Sequence, residues 1–248
     1  MNLAGKTVIV TGGGRDIGRA CVMELAAQGA NAAINYFASS KGADSAVDEI
    51  KAGGGKAFAQ QGDMTKEADV AALVSKTVET FGQVDSLIHV TGGILKRVPL
   101  AEMSLDHWQA VMDVNLTSFV LMVRACLPHM SQGASIVGLA SQAGRDGGGP
   151  GASASGAAKG ALMTLTRGLA KELGPNIRVN SICPGMIDTD FHNIFTKPEV
   201  RTHVANVTPL KREGTSQEVA KLAVFLASDD AAFITGTNVD INGGTLFS

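Results

Sequence analysis

The chain has 248 residues, 45% of them hydrophobic, with 21 basic and 23 acidic side chains for a formal net charge of −2. That balance excludes a disordered or fibrous protein, and no basic stripe offers a nucleic-acid footprint. Cys21, Cys126 and Cys183 are scattered; they form neither a disulfide framework nor a metal-ligand spacing, which suits a reducing cytoplasm and implies no metal.

The opening MNLAGKTVIVTGG lacks the basic start, long apolar stretch and cleavage site of a signal peptide. Its short apolar run, Thr7–Val10, reads instead as a first strand. Further strand candidates follow at Ala32–Asn35, Ala57–Gln60, Ser86–His89, Ser135–Leu139, Val179–Cys183 and Asn238–Ile241. Between them, apolar residues recur with helical period over Ile17–Gln28, Ala43–Ala52, Lys66–Phe81, Ser104–Met130, Ala154–Leu173 and Ser216–Ala227. Gly29, Gly53 to Gly55 and Gly82 stand where helix C-terminal caps belong. Such alternation predicts right-handed βαβ units and a doubly wound α/β fold, a parallel sheet of seven strands with helices on both faces. No linker divides residues 1–248, so one domain is expected. Gly144–Gly151 is glycine-rich and precedes a helix, and residues 186–211 lack a clean period, as a mobile substrate lid would. No apolar run suggests a membrane span. A soluble, cytoplasmic protein without a membrane partner is expected.

The first strand runs into Thr11-Gly12-Gly13-Gly14-Arg15-Asp16-Ile17-Gly18, and a helix begins at once. Glycines let the backbone approach a pyrophosphate, and the helix N-terminus presents unpaired N–H groups and the positive end of its dipole. A tight turn without a ligand is the plainer reading of this segment taken alone.

The turn resembles the TGxxxGxG segment of the short-chain dehydrogenase/reductase family, and the resemblance covers nearly the whole chain. It continues in Asp63, Asn115, Ser141 and Lys159, and in Pro184-Gly185 with Thr189. A Rossmann-type fold binding a nicotinamide dinucleotide is what this resemblance implies. Asp16 departs from it, standing where the family has its middle glycine; an acid there caps the helix or crowds the phosphates.

About 20 residues beyond such a turn, an NAD site presents an acid to the ribose 2′-hydroxyl. This chain reads Ile34-Asn35-Tyr36-Phe37-Ala38-Ser39-Ser40-Lys41, with no acid before Asp44. Arg15 with Ser39, Ser40 or Lys41 suits a 2′-phosphate through charge-assisted contacts. NADP(H) is therefore expected ahead of NAD(H), with Ser39–Lys41 as a solvated helix start the alternative. By resemblance, Asp63 and Met64 lie at the adenine, although Asp63 followed by Thr65 also fits a helix cap. Gly92 and Gly93 follow His89-Val90-Thr91 where the family has NNAG, keeping a close approach to the cofactor. His89 reads as a structural histidine. The remaining cofactor-binding positions implied are Gly12, Gly14, Ile17, Gly18, Pro184, Gly185, Ile187 and Thr189.

The family's chemistry is a proton-coupled hydride transfer using a serine, a tyrosine, a lysine and an asparagine. Ser141, Lys159 and Asn115 match three of these. Four residues before Lys159, however, the tyrosine position holds Ser155, and the only tyrosine is Tyr36. A phenol titrates near pKa 10 and is tunable, while an aliphatic hydroxyl does not ordinarily titrate. The expectation is a small-carbonyl oxidoreductase with an altered relay, in which water fills the ring's space and carries a proton from Lys159. His192 reaching in from the lid is a second source, though a solvated loop histidine is the plainer reading. The alternatives are a cofactor-binding sensor or partner subunit without turnover, and an imine-directed or non-redox variant. Small-residue packing at Ser141, Ser153 and Ser155, a surface Lys159 and a backbone-bonding Asn115 are the bland readings. The family's tetramers imply a homo-oligomer built on the long helices around Asn115 and Lys159 and on Asn238–Gly244.

Overall fold

A computed structural model describes residue 1 and residues 3–247. In chain order, β1 (Thr7–Thr11), α1 (Asp16–Ala27), β2 (Asn31–Tyr36), α2 (Ser40–Ala52), β3 (Ala57–Gln61), α3 (Glu67–Phe81) and β4 (Ser86–His89) form the first half. The second half has α4 (Leu105–Met112), α5 (Ser118–Cys126), β5 (Ala134–Leu139), α6 (Ala143–Asp146), α7 (Ser153–Leu173) and β6 (Ile177–Pro184). It continues with β7 (Ile187–Asp188), α8 (Asp190–Phe195), α9 (Pro198–Val207), β8 (Gly214–Thr215), α10 (Ser216–Ala227) and β9 (Asn238–Ile241). Seven strands pair in the order β3-β2-β1-β4-β5-β6-β9, every pair parallel. The sheet is the doubly wound one expected from the alternation of its elements, and it is Rossmann-type, as the family resemblance implied.

Successive side chains on a strand point to opposite faces. Val8 and Val10 accordingly join the layer of α1, α2 and α10, while Ile9 joins that of α3, α5 and α7. Both faces being covered explains why the strands read as apolar runs rather than as alternating ones. Phe119 on α5 is fully buried and lies edge-on to His89, with ring centroids 5.5 Å apart. Phe119→Ala is expected to cost about 3–5 kcal/mol, read as a lower midpoint in urea unfolding.

Two stretches differ from the sequence reading. The helix expected over Ser104–Met130 is continuous from Leu105 to His129 but carries a π-turn, Asp113–Thr117, between α4 and α5. That stretch is also long and apolar enough to cross a membrane by length and composition, contrary to the expectation that no run would be. Phe119, Met122 and Cys126 are nevertheless buried against the sheet, so it packs as a core helix. Residues 186–211, read as aperiodic, contain β7, α8 and α9. The helices are short enough that few apolar repeats accumulate in them.

The sheet order reverses between β1 and β4, so their C-terminal ends diverge and open a crevice. In open α/β sheets this is where ligands bind, among the loops that leave the strands.

Candidate functional site

The crevice holds a cavity of about 620 Å³ bordered by most of the site residues expected from the sequence; of the three 2′-phosphate candidates after β2, Ser39 lines it, while Ser40 and Lys41 do not. Gly12, Gly14, Arg15, Ile17 and Gly18 supply the turn. Ser39, Asp63 and Met64 lie toward the β2–β3 side, and Gly92 lies beyond β4. Asn115, Ser141, Ser155 and Lys159 lie on the wall with Pro184, Gly185, Ile187 and Thr189. No carboxylate from the end of β2 faces it; Asn35, Tyr36, Phe37, Ala38 and Ser39 do.

The turn is shaped by contacts that the glycine pattern does not reveal. A Cβ on Gly18 would lie 2.0 Å from the Gly12 carbonyl oxygen, so only glycine lets α1 start this close to β1. The fully buried Asn35 then fixes the turn from the side. Its Oδ1 accepts from Gly12 N–H at 3.3 Å, its carbonyl accepts from Gly13 N–H at 2.8 Å, and its Nδ2 donates to the Gly62 carbonyl at 3.0 Å. Sequence reasoning passed over Asn35 as an ordinary strand residue. The available signal was a polar side chain inside an apolar run, which must find partners. Asp16 adopts φ +48°, and its carboxylate makes no capping bond to its own helix; Oδ1 instead accepts from Asp190 N–H at 3.2 Å. The cap reading of Asp16 is thereby corrected. Asp63 is engaged locally, accepting from Thr65 N–H and Oγ1–H at 2.9 and 2.8 Å; α3 begins at Glu67 behind Lys66 with no side-chain cap, so Asp63 closes a turn ahead of the helix and the cap reading is corrected.

Lys159 is buried, not a surface residue, with 7% of its area exposed. Its ammonium donates to the Leu139 carbonyl at 2.6 Å, and burial pushes its pKa down to about 8. A Cβ on Gly92 would lie 2.8 Å from both Lys159 Nζ and Asn115 Oδ1, so this glycine leaves open the space in front of both groups. Asn115 sits in the π-turn with its amide fully turned to backbone. Nδ2 donates to the Gly93 and Val111 carbonyls at 2.7 and 2.8 Å, and Oδ1 accepts from Gly93 N–H at 3.0 Å. It pins the strand end to the helix, as the backbone-bonding reading of Asn115 implied. Ser155 and Lys159 are one helical turn apart on α7 and face the cavity together. Ser141 Oγ accepts from Ala143 N–H at 3.1 Å, leaving its own hydrogen to donate.

Two histidines stand near this region, His192 lining the cavity and His89 buried behind Thr11. His89 is fully buried in a relay whose direction follows from its partners. Thr11 Oγ1 accepts from Val90 and Thr91 N–H at 3.1 and 3.2 Å, so its hydrogen goes to His89 Nδ1 at 3.1 Å. Nε2–H then donates to Ser118 Oγ at 3.1 Å, and Ser118 donates to the Val114 carbonyl at 2.8 Å. That network admits only a neutral ring, and burial, with Lys159 nearby, holds the pKa at about 3. His192 corrects the solvated-loop reading: it is half-buried on the cavity wall, its Nδ1 2.9 Å from Thr196 Oγ1. Burial, then Arg201, pushes its pKa down to about 4, so at neutral pH it carries no cationic proton to give.

Both depressed values make stability fall in acid. Between pH 6.5 and 3 the unfolded chain binds protons that the folded histidines refuse. Each such proton costs the fold about 1.4 kcal/mol for every pH unit crossed. His89→Gln is expected to flatten the decline between pH 6.5 and 5, where carboxylates contribute little. Urea midpoints across that range check it, with His192 supplying the residual slope.

Comparison with known proteins agrees with this geometry. Residues 12–245 match a family model described as enoyl-(acyl carrier protein) reductase. A 3-oxoacyl-[acyl-carrier-protein] reductase of Staphylococcus epidermidis is 36% identical over 242 residues, 96% of this chain and 98% of that protein. A blue fluorescent protein from a metagenomic library, solved in complex with NADPH, superposes with a TM-score of 0.93 at 34% identity over all of both chains. A short-chain dehydrogenase of Burkholderia cenocepacia in complex with NADP gives 0.92 at 33% identity, covering 98% of this chain and 99% of that one. With the glycine turn, Ser141 and Lys159 gathered on one crevice and relatives matching end to end, the chain belongs to the short-chain dehydrogenase/reductase family of oxidoreductases.

Proposed function

We propose that this protein is an NADP(H)-dependent oxidoreductase that reduces a small carbonyl, or oxidises the corresponding alcohol, through a proton relay without a phenol. The observation that carries the reading is the convergence of Ser141, Ser155 and Lys159 on the cavity that the phosphate turn opens. The turn's amides and Arg15, with Ser39, would hold the phosphates, and the absence of an acid after β2 favours a 2′-phosphate. Lys159, Pro184, Gly185, Ile187 and Thr189 would hold the nicotinamide end. When bound, the cofactor supplies hydride to the carbonyl carbon.

The chain's own groups handle the oxygen. Ser141 donates to the carbonyl oxygen and fixes its direction. The space between Ser155 and Lys159 admits a water that donates a proton to the developing alkoxide and is reprotonated by the Lys159 ammonium. An ammonium held near pKa 8 is a competent acid at neutral pH, which neutral His192 is not. Asn115 acts by pinning Gly93 and the strand end. The lid of about residues 186–211 shapes the substrate. Exposed Leu105 and Val120 on the apolar α4–α5 stretch support a homo-oligomer, and the scattered free cysteines support a cytoplasmic location.

NADPH binding, followed by NADPH oxidation with ketones, diketones, quinones and imines, tests the reading. Turnover of a carbonyl supports it. Binding with no turnover would favour a sensor or partner subunit, a reading that the Lys159–Leu139 hydrogen bond also accommodates. Turnover of imines alone would favour the variant in which a protonated substrate needs no acid.

A further inference from the structure

We propose that Asp16 is the positioning residue that latches the substrate lid onto the phosphate turn, so that lid opening and cofactor release become one event. The inference rests on the dinucleotide reading above. Asp16 is anomalous: it holds a side chain in the left-handed region, at a place where glycine would cost nothing. Aspartate adopts this conformation more readily than most residues because its short side chain bonds locally. Here it bonds across the chain instead. Asp16 Oδ1 accepts from the N–H of Asp190, the first residue of α8, across 174 positions of sequence.

The lid helix is thus gripped at both ends by residues outside it. Asp16 holds its first amide, and Arg97 Nε donates to the carbonyl of Phe195, its last residue, at 2.9 Å. Arg97 Nη1 also donates to the Pro150 carbonyl at 3.0 Å, tying the same clasp to the glycine-rich loop before α7. α8 has only six residues, too few to be stable by itself. Its position is therefore set by outside contacts, these two together with the bond from Arg201 Nη1 on α9 to Asn193 Oδ1. Phe191 and His192, which border the cavity, move with it.

Arg15 makes the latch responsive to an anion. Its Nη1 lies 3.6 Å from Asp16 Oδ2 and 3.9 Å from Asp190 Oδ2, bridging two carboxylates that would otherwise repel. The same guanidinium borders the cofactor cavity. A phosphate arriving at the turn competes for Arg15 and brings negative charge beside Asp16. Asp16 thus weakens phosphate binding through its charge and slows phosphate escape through its hydrogen bond. Two substitutions separate these effects. Asp16→Asn removes the charge but keeps an acceptor and tolerates the backbone conformation. Asp16→Gly removes charge and acceptor together.

The test compares these two neutral variants. In the free proteins, amide exchange at Asp190 is expected to be about tenfold faster in Asp16→Gly than in Asp16→Asn, the size of one charge-free hydrogen bond near 1.4 kcal/mol. In stopped flow, NADPH is expected to leave Asp16→Gly about tenfold faster than Asp16→Asn, matching the ratio of the exchange rates. Equal Asp190 exchange in the two variants would overturn the latch. Unequal exchange with equal NADPH dissociation would overturn the coupling. Failure of every protein, wild type included, to bind NADPH would overturn the dinucleotide reading and the coupling with it, while exchange in the free protein still reads the latch.

Discussion

Ser155→Tyr is expected to raise kcat/KM for a simple ketone by at least about 10²-fold over wild type, the lower end of what a positioned acid contributes. Geometry comes before chemistry here. Residue 155 lies one helical turn before Lys159 and borders the cavity, so a longer side chain there extends over the space in front of Ser141 and Lys159. A serine oxygen stays near the helix, whereas a phenol reaches several ångströms further. Its proton is also tunable, since an ammonium close by favours the phenolate and lowers the phenol's pKa. Ser155→Phe is the control: it fills the same volume with no proton to give and is expected to fall to or below wild type by excluding the relay water. NADPH dissociation constants for all three proteins guard against a trivial effect on binding. A folded, NADPH-binding tyrosine variant with no gain in ketone reduction would show that the missing phenol is not what limits the site.

The architecture was legible in the sequence because its signals are local and repeated. Apolar runs such as Thr7–Val10 and Ser135–Leu139, separated by helical periods and glycine stops, recur at the right spacing along the chain. The turn from Thr11 to Gly18 could be placed because glycine is dictated there by backbone approach, as the 2.0 Å clearance at Gly18 shows. Partnership was not legible. Asn35 binding Gly12, His89 poised between Thr11 and Ser118, and Asp16 reaching Asp190 join residues far apart in sequence, and nothing in the identity of one names the other. Asn115 shows the same limit within a recognised motif. Its position and the option of backbone bonding were clear, but the partners Gly93 and Val111 emerge only with the π-turn. The histidines divide similarly. His89 reads correctly as structural from its place at a strand end, whereas the burial of His192 depends on α8, which its aperiodic sequence concealed.

Lys159→Met is expected to abolish turnover and weaken NADPH binding while raising thermal stability, a combination that a residue of purely structural value would not give. Methionine is close to the lysine stem in length and keeps its packing on α7. What it removes is a charge that the fold holds at a cost. Burial lowers the Lys159 pKa from an ordinary 10.5 to about 8, so the folded protein binds this proton less tightly than the unfolded chain does. Stability therefore rises with pH between about 8 and 10.5. Below pH 8 the full penalty applies, a few kcal/mol at about 1.4 kcal/mol per pH unit. Against that stands the loss of the donor to the Leu139 carbonyl, worth about 1–3 kcal/mol if the carbonyl finds no other partner. The charge contribution is the larger, so the melting temperature at pH 7 is expected to rise by about 2–4 °C for each kcal/mol of net gain. The difference from wild type should narrow above pH 8 as wild type sheds the proton. Wild-type carbonyl reduction should decline over the same range, because the ammonium is the acid and its neutral form has no proton to replace the one the water gives up. A variant that loses turnover, melts higher at pH 7 and loses that advantage above pH 8 places the Lys159 charge in the mechanism. Undiminished kcat in Lys159→Met would take Lys159 out of the relay, and lost turnover with a lower melting temperature would make its contribution one of packing.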